Sequence, residues 1–186
     1  VGYGAGLSVT TGTSNTLIGS FSGDALTVGN SNVAVGDLAL TAETAGDRNV
    51  AIGFNALADQ NFTSSTDAYN IGVGYNAGGA ITTGYQNTII GGLAGDALTD
   101  ADRNTVLGYQ ALTTDTQGSR TVAIGFNALA SQNFTSATNS YNTAVGYGAG
   151  EVITTGVNNT IIGGLAGDSL TDADYNVAIG FGALSA

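Results

Sequence analysis

The side chains of this sequence that could do chemistry are almost all carboxylates. The 186 residues include 14 acidic residues and three arginines, with no histidine, lysine or cysteine. Nucleophilic catalysis needs a base to activate the nucleophile, and the usual bases are missing. Two carboxylates about 5 to 9.5 Å apart could still cleave a glycosidic bond. Because the acids recur in the turns of each repeat block, whereas an active site usually occurs once, the sequence predicts a protein that is not an enzyme.

Two Asp-rich turns are the candidate metal sites. Their acidic residues occur in two equivalent sets, Asp96, Asp100 and Asp102, and then Asp168, Asp172 and Asp174. Calcium takes about six to eight oxygen ligands, which such turns can supply. Aspartate is also a common turn residue that bonds its own backbone, and the first comparable turn keeps only Asp24 of the three acids. The sequence therefore favours ordinary turns, with calcium as the one cofactor that it leaves open.

Two longer loops contain the candidate ligand-binding residues. These are Asn61 and Phe62 in the first loop, and Asn133 and Phe134 in the second. Loops on a rigid scaffold often carry binding residues, and an exposed phenylalanine could stack on a sugar or on a protein side chain. Alternatively, each phenylalanine packs beneath its own loop and fills the gap between coils. The sequence favours this second arrangement.

These residues are positioned by a repeat that runs through the chain. Each unit consists of Asn, three residues rich in Val, Ile and Thr, and then Gly. Ten units have a complete start, and of the nine spacings between these starts seven are equal and two are longer, in a series that repeats after every four units. One of these units begins with Thr121, and the other nine begin with asparagine. The nine asparagines are Asn15, Asn32, Asn49, Asn70, Asn87, Asn104, Asn142, Asn159 and Asn176. The asparagines are predicted to form a ladder in which each side-chain amide bonds the next.

The repeat length predicts an all-β fold, a parallel β-solenoid with one coil per unit of about 17 residues. A unit this short cannot bury a core alone, but stacked units can. The β-branched run of each unit predicts a strand, and the glycine suits the corner that follows it. Residues 1–186 are predicted to form a single array of eleven coils, two of them partial, in a super-repeat of four coils. Because the first residue falls inside a unit, we expect the chain to be a piece of a longer one.

The predicted strands are apolar on both faces. Val50 and Ile52 point to one side and Ala51 to the other. A small coil can cover only one of these faces itself, so the second face predicts a neighbouring chain, most simply in a homotrimer. Strands with a central alanine, except the one with Ala34, also have an aromatic residue after the glycine, such as Ala51 with Phe54. A small residue at one position thus accompanies a large residue at the other, which predicts that the two positions share one cavity.

The unit from Asn49 to Ala56 has the form Asn-x-Ala-Ile-Gly-x-x-Ala. Units of this form resemble the head repeats, of Hep/Hag type, of trimeric autotransporter adhesins of the YadA kind, which also occur in phage tail fibres and surface fibre proteins. The resemblance covers the whole chain. It implies a left-handed parallel β-roll, an intertwined homotrimer and a role in attachment. The present coils are longer than the family's repeat, so no ligand of that family is carried over.

These features predict a structural and adhesive segment of an extracellular, cell-surface or virion fibre. Its expected partners are further copies of itself and a glycan or protein receptor. Three arginines cannot form a nucleic-acid-binding face, and no apolar run is long enough to span a membrane. A self-polymerising filament subunit, or a module of a tailspike that binds or degrades polysaccharide, is the alternative.

Overall fold

The computed structural model describes residues 1–185, and within this range it contains fourteen short strands and no helix. The strands are β1 (Thr16–Ile18), β2 (Val33–Val35), β3 (Gly46–Asp47), β4 (Val50–Ile52), β5 (Thr66–Asp67), β6 (Ile71–Val73), β7 (Thr88–Ile90), β8 (Thr105–Leu107), β9 (Gly118–Ser119), β10 (Val122–Ile124), β11 (Thr138–Asn139), β12 (Thr143–Val145), β13 (Thr160–Ile162) and β14 (Val177–Ile179). No helix in the described range could therefore cross a membrane.

Ten of the strands form one parallel sheet, called the main sheet below, in the order β1-β2-β4-β6-β7-β8-β10-β12-β13-β14. Each strand comes from one repeat unit, and equivalent positions are paired, so that Ala51 lies between Ala34 and Gly72. The two longer coils keep this register because their extra residues enter the longer loops, which are tied by the pairs β3–β5 and β9–β11. The prediction of an all-β parallel solenoid with coils of about 17 residues is confirmed.

Each main-sheet strand ends at a corner glycine. Gly108 is representative: its φ is 137°, which side chains with a Cβ rarely adopt. A Cβ added there would lie 2.3 Å from the carbonyl oxygen of Gly125, the corner glycine of the next coil. The corners are joined by backbone bonds, for example from Gly108 N–H to the carbonyl of Ile90 at 2.8 Å. The coils can stack this closely only because no side chain is present at the corner.

The core is a narrow column of small and medium apolar residues inside the coils. In several coils a large residue at the centre of the strand is accompanied by a small residue six positions later, or the reverse. Ala51 is followed in this way by the fully buried Leu57. In contrast, Leu17 is followed by Gly23, where a Cβ would lie 2.8 Å from Leu17 Cδ2. The two positions therefore share the interior of one coil, as close packing requires.

The predicted exchange between Ala51 and Phe54 is wrong. Ala51 is fully buried, whereas Phe54 is exposed on the outside of the coil. The Phe54 ring stacks on the ring of Tyr75 in the next coil, with centroids 5.6 Å apart and planes 9° apart. The positive φ of the corner glycine directs the chain so that the following side chain lies outside. The aromatic residues at this position thus contact one another along the surface and not the core.

Candidate functional site

The asparagines stack along the start of the main-sheet strands, and the interior ones are fully buried. Asn87 is representative. Its backbone N–H donates to Asn70 Oδ1 and its own Oδ1 accepts from Asn104 N–H, both at 2.9 Å. Its Nδ2 donates to the carbonyl of Ala101 at 2.8 Å. The amide oxygens thus bond mainly to backbone N–H groups of the next coil, and these bonds join one coil to the next.

Direct bonds between neighbouring side-chain amides, the arrangement expected from the sequence, occur at only some rungs. They run from Nδ2 to the Oδ1 of the preceding ladder residue at Asn49, Asn87, Asn159 and Asn176, over 2.9 to 3.2 Å. Most Nδ2 groups, including that of Asn87, donate to a backbone carbonyl within the same coil, such as the bond from Asn104 to Gly118. The ladder satisfies buried backbone groups that would otherwise have no partner.

Thr121 interrupts the ladder, and a second residue compensates for it. Thr121 has no amide oxygen to accept from Asn142 N–H, which donates instead to Ser140 Oγ at 3.3 Å. Ser140 Oγ also lies 2.6 Å from Thr121 Oγ1. The equivalent positions four coils earlier are Asn49 and Ala68. Threonine and serine thus replace asparagine and alanine as a pair that keeps the buried groups bonded.

We expect Ser140→Ala to cost about 1–3 kcal/mol in the natural chain, because the buried N–H of Asn142 loses its acceptor. In a Thr121→Asn background the introduced amide oxygen can accept this bond, so the same change should cost less than about 0.5 kcal/mol. A double-mutant cycle of urea unfolding measures the difference. Equal costs in the two backgrounds would show that the two residues are independent.

Two buried carboxylates hold the longer loops, and sequence reasoning missed both. Glu43 Oε1 accepts from the backbone N–H groups of Ala45, Gly46 and Phe62 at 2.6 to 3.1 Å. Its Oε2 accepts from Gln60 Nε2 at 2.7 Å. Glu43 and Gln60 are both fully buried. The carboxylate thus satisfies donors at the base of the first long loop.

The second long loop has the same arrangement. Asp115 accepts from Phe134 N–H at 2.9 Å, from Gly118 N–H at 3.0 Å and from Gln132 Nε2 at 2.6 Å. Each glutamine also connects the carboxylate to the ladder, as in the bond from Asn142 Nδ2 to Gln132 Oε1 at 2.8 Å. An acid and a glutamine 17 residues apart occur at equivalent positions in front of both long loops, and this recurrence was the signal available in the sequence.

The candidate loop residues do not form an exposed binding group. Phe62 and Phe134 are buried, with 9% and 7% of their surface exposed. Asn61 and Asn133 are half-buried, and their Oδ1 atoms accept from threonine hydroxyls of the preceding coil. Of the two arrangements open from the sequence, the packed one is found. The rings fill the gap between coils and do not project as stacking surfaces for a ligand.

The acids of the Asp-rich turns bond separate partners. Asp96 Oδ1 accepts from Thr113 in the following coil, and Asp102 Oδ1 accepts from the backbone of Tyr85 in the preceding coil. Asp100 bonds the neighbouring Thr99. The equivalent turn is similar: Asp172 bonds Thr171, Asp174 bonds the backbone of Val157, and Asp168 Oδ1 is buried without a partner among the described residues. Residues 1–185 contain no group of three or more such side chains arranged around one metal position.

The main sheet presents an unusually uniform outer face. We use this term for the first and third residues of each main-sheet strand. All of them are Thr, Val, Ile or Leu, and none is buried. Leu107, for example, has 44% of its surface exposed. Contiguous exposed apolar surface of this kind is typical of interaction sites.

An aromatic column borders the outer face. It consists of the residues that directly follow the corner glycines, several of which are aromatic: Tyr3, Phe54, Tyr75, Tyr109, Phe126, Tyr147 and Phe181. The rings of Tyr109, Phe126 and Tyr147 form one continuous stack, with successive centroids 5.8 and 5.3 Å apart. Phe54 and Tyr75 form a second stack. The solenoid thus carries ordered aromatic rings beside the outer face.

The described residues enclose no cavity. The outer face and the aromatic column carry most of the exposed large apolar side chains. The chain matches no protein-family model, and no curated protein or solved structure is significantly similar to it.

Proposed function

We propose that this chain is a non-enzymatic structural and adhesive segment of an extracellular or virion fibre, in which three copies pack their outer faces together. The observation that carries the proposal is the outer face itself. Ten stacked strands give an apolar strip about 48 Å long at about 4.8 Å per strand. A surface of this size and composition is more favourable against another protein surface than in water.

The distribution of charge supports packing between identical chains. The formal net charge is −11, so three copies repel each other at long range. However, no charged residue lies in the outer face. The exposed acids are placed in the turns and loops, where water can solvate them after assembly, and the buried Glu43 and Asp115 are already hydrogen-bonded inside the coils. Three chains can therefore bring their outer faces into contact without burying an unpaired carboxylate, which is costly.

The repetition of the coils also supports a role in a fibre. The backbone of each coil bonds the coils before and after it, as the Gly108 and Asn87 contacts illustrate. Stiffness then comes from the array and not from a large core. In a trimer each exposed group would also be presented three times, so that weak contacts with a receptor gain through avidity. Attachment to a surface is consistent with both features.

The oligomeric state is the first measurement. Light scattering behind a sizing column should give a mass about three times the 18.3 kDa of one chain. Leu107→Asp should reduce this mass to that of the monomer, because a carboxylate would be buried in the apolar interface. Ser64→Asp, in an exposed loop, is the matched control and should leave the mass unchanged.

A compact monomer of the natural chain would contradict the trimer. Very large species whose size depends on concentration would indicate the self-polymerising filament instead. Their dissociation by EDTA would show that the Asp-rich turns bind calcium, which otherwise stays a prediction of the sequence. Release of sugar from an exopolysaccharide would favour the tailspike module.

A further inference from the structure

The aromatic column is interrupted twice by glycine. Gly92 lies in the coil between Tyr75 and Tyr109, and Gly164 lies in the coil between Tyr147 and Phe181. Each of these two coils without a ring lies between coils that carry one, whereas Ser20 and Asp37 are the non-aromatic residues of the column nearer the N-terminus. We call the first gap the Gly92 notch and the second the Gly164 notch. Both are open to solvent on the outside of the solenoid.

The backbone does not require glycine at either notch. Of the 30 glycines, all except these two have a φ between +20° and +160° or an atom within 3 Å of an added Cβ. At Gly92 an added Cβ would lie 3.5 Å from Tyr109 Cδ2, an ordinary contact. The equivalent position four coils before Gly92 is Ser20, which does carry a Cβ. The absence of a side chain at the notches therefore has no conformational cause.

The Gly92 notch has the size of one ring. Its two walls, the rings of Tyr75 and Tyr109, are two coils apart, or about 9.6 Å at about 4.8 Å per coil. A ring placed midway would be about 4.8 Å from each wall, within the range of about 4.5–7 Å found for stacked rings. The Tyr109 ring already lies over the Gly92 Cβ position, and no atom of Tyr75 comes within 4 Å of that position.

The surroundings of the notch are uncharged and have hydroxyl groups at the rim. The neighbouring outer-face residues are Val73, Ile90 and Leu107. Tyr75 and Tyr109 are 59% and 50% exposed. Neither hydroxyl bonds another group within residues 1–185. The walls thus offer apolar ring faces, and the rim offers neutral hydrogen-bonding groups without a carboxylate to attract a cation.

We infer that the Gly92 notch binds a pyranose ring of a neutral glycan. The C–H faces of a pyranose match the two aromatic walls, and its equatorial hydroxyls match the tyrosine hydroxyls at the rim. A ligand with an aromatic ring and no hydroxyl groups could stack between the walls, but it would offer no hydrogen-bond partner to the tyrosine hydroxyls. The Gly164 notch has a hydroxyl on only one wall, Tyr147, because its other wall is Phe181, and it should bind more weakly. The inference rests on the proposed attachment role and names the class of ligand.

Saturation-transfer NMR tests the notch, with the methyl α- and β-pyranosides of glucose, galactose and mannose as probes. Saturation should reach the ring C–H protons of at least one glycoside. Gly92→Phe should reduce this signal at least fivefold, because the new ring fills the notch by stacking on Tyr109. Gly92→Ala, which adds only a methyl group, should keep more than half of the signal. Tyr109→Ala removes one wall and should also reduce the signal at least fivefold.

Several results would overturn the inference. One is the absence of saturation on every glycoside, and another is an unchanged signal in Gly92→Phe. Unfolding of Gly92→Phe would show that the notch cannot hold a ring. Binding of benzyl alcohol or of methylguanidinium in place of the glycosides would assign the notch to a side chain of a partner protein. The mass of each variant separates the two proposals, since a trimer that binds no glycoside contradicts only the notch, and a monomer that binds one contradicts only the trimer.

Discussion

A Gly108→Ala variant is expected to lose about 3–5 kcal/mol of the free energy of unfolding, although it adds a single methyl group. The φ of 137° is one that alanine adopts only with strain. In addition, the new Cβ would lie 2.3 Å from the carbonyl oxygen of Gly125. That oxygen belongs to the backbone of the next coil, which cannot move without disturbing the stack. Urea unfolding followed by circular dichroism measures the loss.

Gly92→Ala is the matched control for this prediction. Gly92 has no positive φ, and its added Cβ has 3.5 Å of space. Because alanine restricts the unfolded chain more than glycine does, this variant should be about as stable as the natural chain or more stable by up to about 1 kcal/mol. If the two variants lost equal stability, the close approach of the corner glycines would not be what limits the side chain at position 108.

A Glu43→Ala variant is expected to lose about 3–5 kcal/mol and to make the first long loop sensitive to proteases. The change leaves the buried backbone N–H groups of Gly46 and Phe62 and the Gln60 amide without an acceptor, whereas the N–H of Ala45 keeps its bond to the carbonyl of Phe62. Each unsatisfied buried group costs about 1–3 kcal/mol, and some relaxation of the loop reduces the sum. Urea unfolding gives the free energy, and limited proteolysis within residues 59–66 reports on the loop.

The exchange variant Glu43→Gln with Gln60→Glu distinguishes hydrogen bonding from packing. Glu43→Gln alone places an amide nitrogen against Gln60 Nε2, two donors that cannot bond. In the exchange variant the new amide donates to the new carboxylate, whose second oxygen can still accept from Asn70 Nδ2, as Gln60 Oε1 does now. We expect the exchange to recover more than half of the stability lost in Glu43→Gln. No recovery would show that the position of the charge matters more than the bonding pattern.

Much of the architecture could be predicted because it is periodic. Asn87 and Gly108 illustrate this, since each recurs at coil spacing and each has a role that only its own residue type can fill. The asparagine offers a donor and an acceptor to neighbouring coils, and the glycine permits the close corner. Because every coil pairs with coils of the same kind, the regular spacing of these residues is a strong signal of a solenoid. Strand position, direction and register followed from this signal.

The candidate site could be predicted only in part because it depends on the directions of side chains. Phe54 and Phe62 are both large apolar residues outside the strands, yet the first is exposed on the outside of the coil and the second is buried. Their directions depend on backbone angles at the corner and on bonds from the loop to Glu43. Those bonds join residues from different coils. The sequence shows that Gly92 replaces an aromatic residue, but only the structure shows that the neighbouring rings lie on the outside and leave a gap there.

The sequence by itself determined that this protein is a stack of short parallel coils. Regularly spaced Asn, β-branched and Gly residues can satisfy their hydrogen bonds and bury their side chains only by pairing with copies of themselves. Only the tertiary structure decided which side chains remain exposed once the coils are stacked. An outer face without charge and an aromatic column with two ring-sized gaps result from where each side chain points. That direction is set by backbone angles and by contacts between residues in different coils, which the order of residues in one unit does not contain.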